Sequence, residues 1–106
     1  MKTIELDSQN FDSTLANTDL PVLVDFYGEG CGPCRMMAPV IDQIATERAE
    51  RAVVTKLDAG AASEIASRFG ITAVPTFIVF KNSQIVATAR GAQSKTAIEA
   101  MLDRAA

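Results

Sequence analysis

Gly30-Cys31-Gly32-Pro33-Cys34-Arg35 is the segment the rest of the chain is built to hold, and its two thiols are the only cysteines in the chain. Two intervening residues put both sulfurs on the first turn of a helix, where α-carbons three apart lie within the span of a disulfide. One pair can therefore open and close. Val22-Leu23-Val24-Asp25-Phe26-Tyr27, just upstream, reads as a buried strand, and the residues downstream carry helical periodicity. The motif sits at a strand-to-helix turn that aims a helix N-terminus at Cys31.

At 106 residues and 48% hydrophobic content, the chain suits one compact domain over residues 1–106, with a core large enough to need no structural disulfide. The net charge of −3 argues against nucleic acid or an anionic membrane as a partner and leaves proteins or small molecules. Met1-Lys2-Thr3-Ile4-Glu5-Leu6-Asp7 has no basic region leading into an apolar run, so no export signal is expected. The apolar runs are too short to span a bilayer. A cytoplasmic protein is the expectation, and in a reducing cytosol a lone Cys-x-x-Cys points to redox turnover or metal binding more than to a staple. Histidine is absent, which excludes Ser-His-Asp and Cys-His catalysis and His-ligated zinc. A general acid or base near neutral pH must then be a carboxylate, lysine or thiol with a shifted pKa. The alternatives for the pair are a static disulfide or half a metal site, and two cysteines without histidine do not complete a zinc tetrahedron alone.

Taken in order, Thr3 to Leu6 reads as an edge strand, and Ser8 as the cap of a short helix burying Phe11 and Leu15, broken at Asn17-Thr18-Asp19. Pro21 to Tyr27 is the central strand, too continuously apolar to be wet on either face. From Pro33, residues Met37, Val40, Ile41, Ile44 and Ala45 recur at three and four. Pro33 suits the first turn of that helix, while Pro39 falls inside and should kink it. Ala52 to Leu57 is a third strand, and Ala61 to Phe69 a helix stopped by Gly70. Thr76 to Phe80 and Ile85 to Ala89 form a hairpin about Lys81-Asn82-Ser83-Gln84, with Ser in place of the favoured Gly. Ser94 caps a last helix that buries Ile98, Met101 and Leu102. Alternating strands and helices followed by a hairpin imply an α/β fold with a mixed sheet.

Asp25-Phe26-Tyr27, Cys31-Gly32-Pro33-Cys34, Ala73-Val74-Pro75-Thr76-Phe77 and Gly91-Ala92 followed by Ser94-Lys95 stand in an order and spacing that resembles the thioredoxin family across essentially the whole chain. The resemblance implies a mixed five-stranded central sheet flanked by four helices. It also implies a protein-disulfide reductase, an electron carrier in cell redox homeostasis. Cys31 would attack and Cys34 resolve. Asp25 would accept the Cys34 proton, with Lys56 as the neighbour that moderates it. A cis Pro75 would face the disulfide, and substrates would lie over Gly30, Gly32, Pro33, Val74, Pro75, Arg90, Gly91 and Ala92. By the same resemblance the protein binds no cofactor or metal. Electrons would come from NADPH through a flavoprotein thioredoxin reductase, and disulfide-containing proteins would be the substrates of a monomer.

The chemistry has independent reasons. An ordinary cysteine is only about 3% ionised at pH 7, and a helix N-terminus lowers its pKa. A buried carboxylate has its pKa raised and can take a proton from a nearby thiol, directly or through a water. On its own Asp25 reads as a strand-end carboxylate in solvent, and the thiols six and nine residues on reverse that reading; Lys56 reads equally as an exposed strand lysine.

The chain departs from the family at Gly30, where Trp usually precedes the first cysteine, and at Tyr27, often Trp; no tryptophan is present. Losing the indole removes an apolar wall beside the thiols and frees the backbone at residue 30. Other readings are a related oxidant or isomerase, a non-enzymatic binding subunit, and a dimer sharing one metal between two cysteine pairs. Arg90 stands where the family commonly has an apolar residue, and it is expected to favour acidic substrates or a specialised reductase. Comparing Arg90→Val with the native chain on acidic and basic disulfide peptides checks this: an unchanged ratio of turnovers would count against it.

Overall fold

A computed structural model describes residues 3–106. The elements run β1 (Ile4–Leu6), α1 (Phe11–Ala16), β2 (Val22–Tyr27), α2 (Gly32–Glu47), β3 (Val53–Asp58), α3 (Ser63–Arg68), β4 (Thr76–Lys81), β5 (Gln84–Arg90) and α4 (Lys95–Arg104). One sheet holds the strands in the order β1-β3-β2-β4-β5. β3 pairs in parallel with β1 and β2, whereas β4 is antiparallel to β2 and β5 to β4. This is the mixed five-stranded sheet with four helices that the family resemblance implies.

Strand periodicity sorts the apolar side chains into two cores. Leu23, Val54, Phe77 and Val79 pack with Ile41 and Ile44 of α2 and with Ile98 and Leu102 of α4. Val22, Val24, Phe26, Leu57, Ile78 and Phe80 face the other way, onto Phe11 and Leu15 of α1 and Ile65 of α3. Phe26, Phe77 and Phe80 are each at most 1% exposed, and burial of such a side chain contributes about 1.5–3 kcal/mol. β2 lies between β3 and β4 and is buried over Val22 to Phe26, so both cores grip the strand that leads into the cysteine turn.

Local chemistry ends the elements. Ser94 accepts a hydrogen bond from the Ala97 N–H at 3.1 Å, the expected cap of α4. Gly70 has φ +63°; its N–H meets the Ser67 carbonyl at 3.1 Å and the Ile71 N–H meets that of Ala66 at 2.9 Å, the Schellman ending that favours glycine. α2 runs through Pro39 to Glu47, with Pro39 on its exposed side. The expected Ser8 cap is corrected. α1 starts at Phe11 after Asn10 with no side-chain cap, and the Ser8 hydroxyl donates instead to Glu64 of α3. Asp7 takes over this turn: its side-chain oxygen accepts from the N–H groups of Gln9 and Asn10 at 2.8 and 2.9 Å, the geometry of an Asx turn.

The β4–β5 turn carries Asn82 at φ +50° and Ser83 at φ +65°, the two left-handed residues of a type I′ hairpin. Ser83 pays a steric cost that glycine would not. Ser83→Gly is expected to raise stability by about 0.5–1 kcal/mol, the relief of strain less the entropy glycine gains when unfolded. A denaturant midpoint that falls would contradict this.

Candidate active site

β2 delivers the chain through Gly28-Glu29-Gly30 to the start of α2. Gly30 has φ +70° with open space where a side chain would be, a conformation L residues avoid. Cys31 follows in extended geometry (φ −89°, ψ 104°) as the N-cap of α2, so it precedes the helix and does not lie within its first turn. Its sulfur takes the place of a capping oxygen: the Cys34 N–H points at Cys31 Sγ from 3.2 Å. The two cysteines are joined as a disulfide with α-carbons 5.2 Å apart. Cys34 is only 6% exposed, while Cys31 is partly open to solvent. Of the two sulfurs, Cys31 is the reachable one.

On one side of the turn Cys31 Sγ lies 3.8 Å from the Val74 carbonyl oxygen, and the Val74–Pro75 bond is cis. The Pro75 carbonyl accepts from the Gly91 N–H at 2.8 Å, which ties the start of β4 to the segment after β5. Arg90 is exposed opposite Thr76, and Ala92 is exposed beyond Gly91. Cys31, Val74, Pro75 and Gly91 are thus linked in space, with Gly32 and Pro33 on the adjoining first turn of α2.

The other side is built by strand parity. Asp25 alternates with Val24 and Phe26, so it shares the face of Leu23, under α2. Register places Glu5 beside Lys56, Lys56 beside Asp25 and Asp25 beside Phe77. Asp25 is 4% exposed. Its Oδ1 is, among the described residues, the one buried side-chain nitrogen or oxygen with no hydrogen-bond partner. Burial pushes the Asp25 carboxyl up from 3.8 to about 7; the Lys56 ammonium opposes this and Glu5 reinforces it. A cleft of about 310 Å³ between this row and α2 is lined by Asp25, Tyr27, Gly30, Cys34, Arg35 and Lys56, among others. Asp25, Lys56 and Cys34 therefore share one cleft, and Val74, Pro75 and Gly91 lie outside it.

Glu5 and the Tyr27 hydroxyl were invisible as site residues in the sequence. The hydroxyl donates to both Glu5 oxygens, at 2.9 and 3.1 Å, and Lys56 Nζ pairs with Glu5 at 3.9 Å. No local pattern announces such a cross-strand row; only the register of β1, β3 and β2 does. Among the described residues, no group of three or more His, Cys, Asp or Glu side chains is placed to hold a metal.

The family profile for thioredoxin matches residues 2–104. A thioredoxin of Haemophilus influenzae is 37% identical over 95 residues, covering 90% of this chain and 89% of that protein. A thioredoxin of Mycobacterium tuberculosis is 43% identical over 96 residues (91% and 83%), and one of Porphyra purpurea 38% identical over 104 (98% and 97%).

The raised carboxyl has a stability consequence. Between pH 3.8 and about 7 the native state holds a proton that the unfolded chain has released, so Asp25 costs stability that grows through this window and is complete above it. At about 1.4 kcal/mol per pH unit the full cost is roughly 4 kcal/mol. Asp25→Asn should therefore stabilise the oxidised protein by a few kcal/mol at pH 8 and by far less at pH 4. Parallel denaturation curves giving a pH-independent difference would refute this.

Proposed function

The chain belongs to the thioredoxin family, and on that premise we propose that Cys31 is the nucleophile, Cys34 the resolving thiol and Asp25 the acceptor of the Cys34 proton. The activity itself is that of a protein-disulfide oxidoreductase: dithiol–disulfide exchange whose redox group is the Cys31–Cys34 disulfide.

In the reduced protein the Cys31 thiolate attacks one sulfur of a substrate disulfide, forming a mixed disulfide and releasing the first substrate thiolate. Cys34 then gives its proton to Asp25 and attacks Cys31 Sγ. The mixed disulfide breaks, the second substrate thiolate leaves, and two electrons have passed from protein to substrate. The observation that carries this reading is the Cys34 N–H directed at Cys31 Sγ from the open end of α2. Unpaired N–H groups and the positive end of the helix dipole favour a thiolate there, and that hydrogen bond strengthens when the sulfur is charged. Burial of Cys34 beside Asp25 in the shared cleft supports a thiol that stays protonated until its base is free.

Substrates are proposed to be disulfide-containing proteins whose extended segments lie over Gly30, Gly32, Pro33, Val74, Pro75, Gly91 and Ala92 and pair with the Val74 backbone. The closeness of the Val74 carbonyl to Cys31 supports this. Exposed Arg90 at the rim would attract acidic segments. Lys56 would moderate Asp25. A thioredoxin reductase would return electrons from NADPH to this domain, which is proposed to act as a monomer. A cytoplasmic setting agrees with the absence, among the described residues, of any helix long and apolar enough to cross a membrane.

Insulin disulfide reduction with a dithiol or a reductase as electron source tests turnover. Cys34→Ser should accumulate a covalent adduct on Cys31, and Cys31→Ser should reduce turnover to that of the electron source alone. Asp25→Asn should slow resolution by about 10²-fold, the low end of general base catalysis. Failure to trap an adduct on Cys34→Ser would sink the assignment of Cys31.

A further inference from the structure

Lys56 is the ordinary candidate for a counter-charge to Asp25, since register sets the two side by side. Its ion pair, however, is with Glu5 on the far side, Nζ to Oε1 at 3.9 Å. Glu5 is itself held by the Tyr27 hydroxyl through both carboxylate oxygens, and the Lys56 ammonium rests 5.8 Å over the Tyr27 ring. Tyr27 therefore grips Lys56 twice, through its π face and through the carboxylate it orients. Asp25, left with an unpartnered oxygen, receives none of these contacts.

We propose that Glu5, oriented by Tyr27, is a positioning residue for Asp25: it holds the Lys56 ammonium toward β1 and so governs how readily the Asp25 carboxylate takes up a proton from Cys34. This rests on the reading of Asp25 given above and deepens it.

Every element around Asp25 bears on the balance. β3 supplies Lys56, β1 supplies Glu5, β2 and the loop after it supply Tyr27 and Glu29, and α2 supplies Cys34, Arg35 and Asp42. Glu29, Arg35 and Asp42 are exposed, so water screens them. Burial and the Glu5 carboxylate raise the Tyr27 hydroxyl far above the ordinary phenol range, so it remains a protonated donor across the working pH. Both effects of Glu5, holding the ammonium away and presenting a like charge, act in one direction: they favour the protonated Asp25. The Glu5 and Lys56 side chains are about half exposed, so the effect is moderate and weakens in salt.

The test follows the Asp25 carboxyl carbon by NMR through a pH titration of the oxidised protein, alongside the pH profile of mixed-disulfide resolution. Glu5→Gln, which keeps an acceptor for Tyr27 but removes the charge, should lower the Asp25 midpoint by about half a pH unit. The acid limb of the resolution profile should move with it. Tyr27→Phe, with the ring intact, should shift the midpoint the same way by less, and Lys56→Met should raise it. In a Lys56→Met background the effect of Glu5→Gln should fall by at least half, because the ammonium it holds is gone. An unchanged midpoint in Glu5→Gln, or an undiminished shift without Lys56, overturns the proposal. If the midpoints move as expected but Asp25→Asn resolves at the native rate, the failure lies in Asp25 as proton acceptor, and the catalytic role of Glu5 falls with it.

Discussion

β2 has hydrogen-bonded neighbours on both edges and a packed helical layer on both faces, and its two-residue side-chain period admits one assignment of faces. Val22, Val24 and Phe26 go to the α1/α3 core and Leu23 to the α2/α4 core, so Asp25 must enter the layer beneath α2. A slip of one residue would drive Val22, Val24 and Phe26 into the α2/α4 core and Asp25 into the aromatic core under α1 and α3, and neither layer has the matching space. The same strand then runs into the turn whose Gly30 backbone and Cys31 cap start α2. The disulfide and the carboxylate thus meet because one central strand positions both.

The cleft is where the protein gives up stability. A buried carboxyl with an unpartnered oxygen is unfavourable in a fold that elsewhere pairs its buried polar groups: Thr55 donates to the Leu23 carbonyl and Thr76 to that of Ala73. Two well-filled cores carry that cost. The isolation that makes Asp25 expensive also holds its proton affinity close to neutral, the range in which a base exchanges protons with a thiol most effectively. Desolvation is the largest influence on it, and the charges of Lys56 and Glu5 are corrections of opposite sign.

The two sides of the cysteine turn divide the work. Toward Val74 and Pro75 the surface offers backbone groups and a partly open sulfur, suited to an extended chain. Toward Asp25 it offers a cleft with charges placed across three adjacent strands. Tyr27 belongs to the second side. Its hydroxyl gives Glu5 a fixed direction, an interaction that an aromatic without a polar group at its tip could not make.

The cysteine pair, the turn that carries it, the central strand, the final helix and its Ser94 cap were legible in the chain because they rest on short-range rules: spacing, periodicity and turn chemistry. The Ser8 cap misled because two candidate acceptors, Asp7 and Ser8, compete for the same few N–H groups, and the contact with Glu64 of α3 draws Ser8 away. Asp25 and Lys56 could be named from sequence, but whether either was buried could not. A dithiol at a helix start within an α/β sheet follows from these local rules. Tertiary structure alone decided that Asp25 is buried with an oxygen unpaired, and that Lys56 turns to a glutamate that Tyr27, 22 residues away from it, holds in place. Those outcomes depend on strand register and on the water that packing excludes, and both are properties of the assembled sheet, not of any segment of the chain.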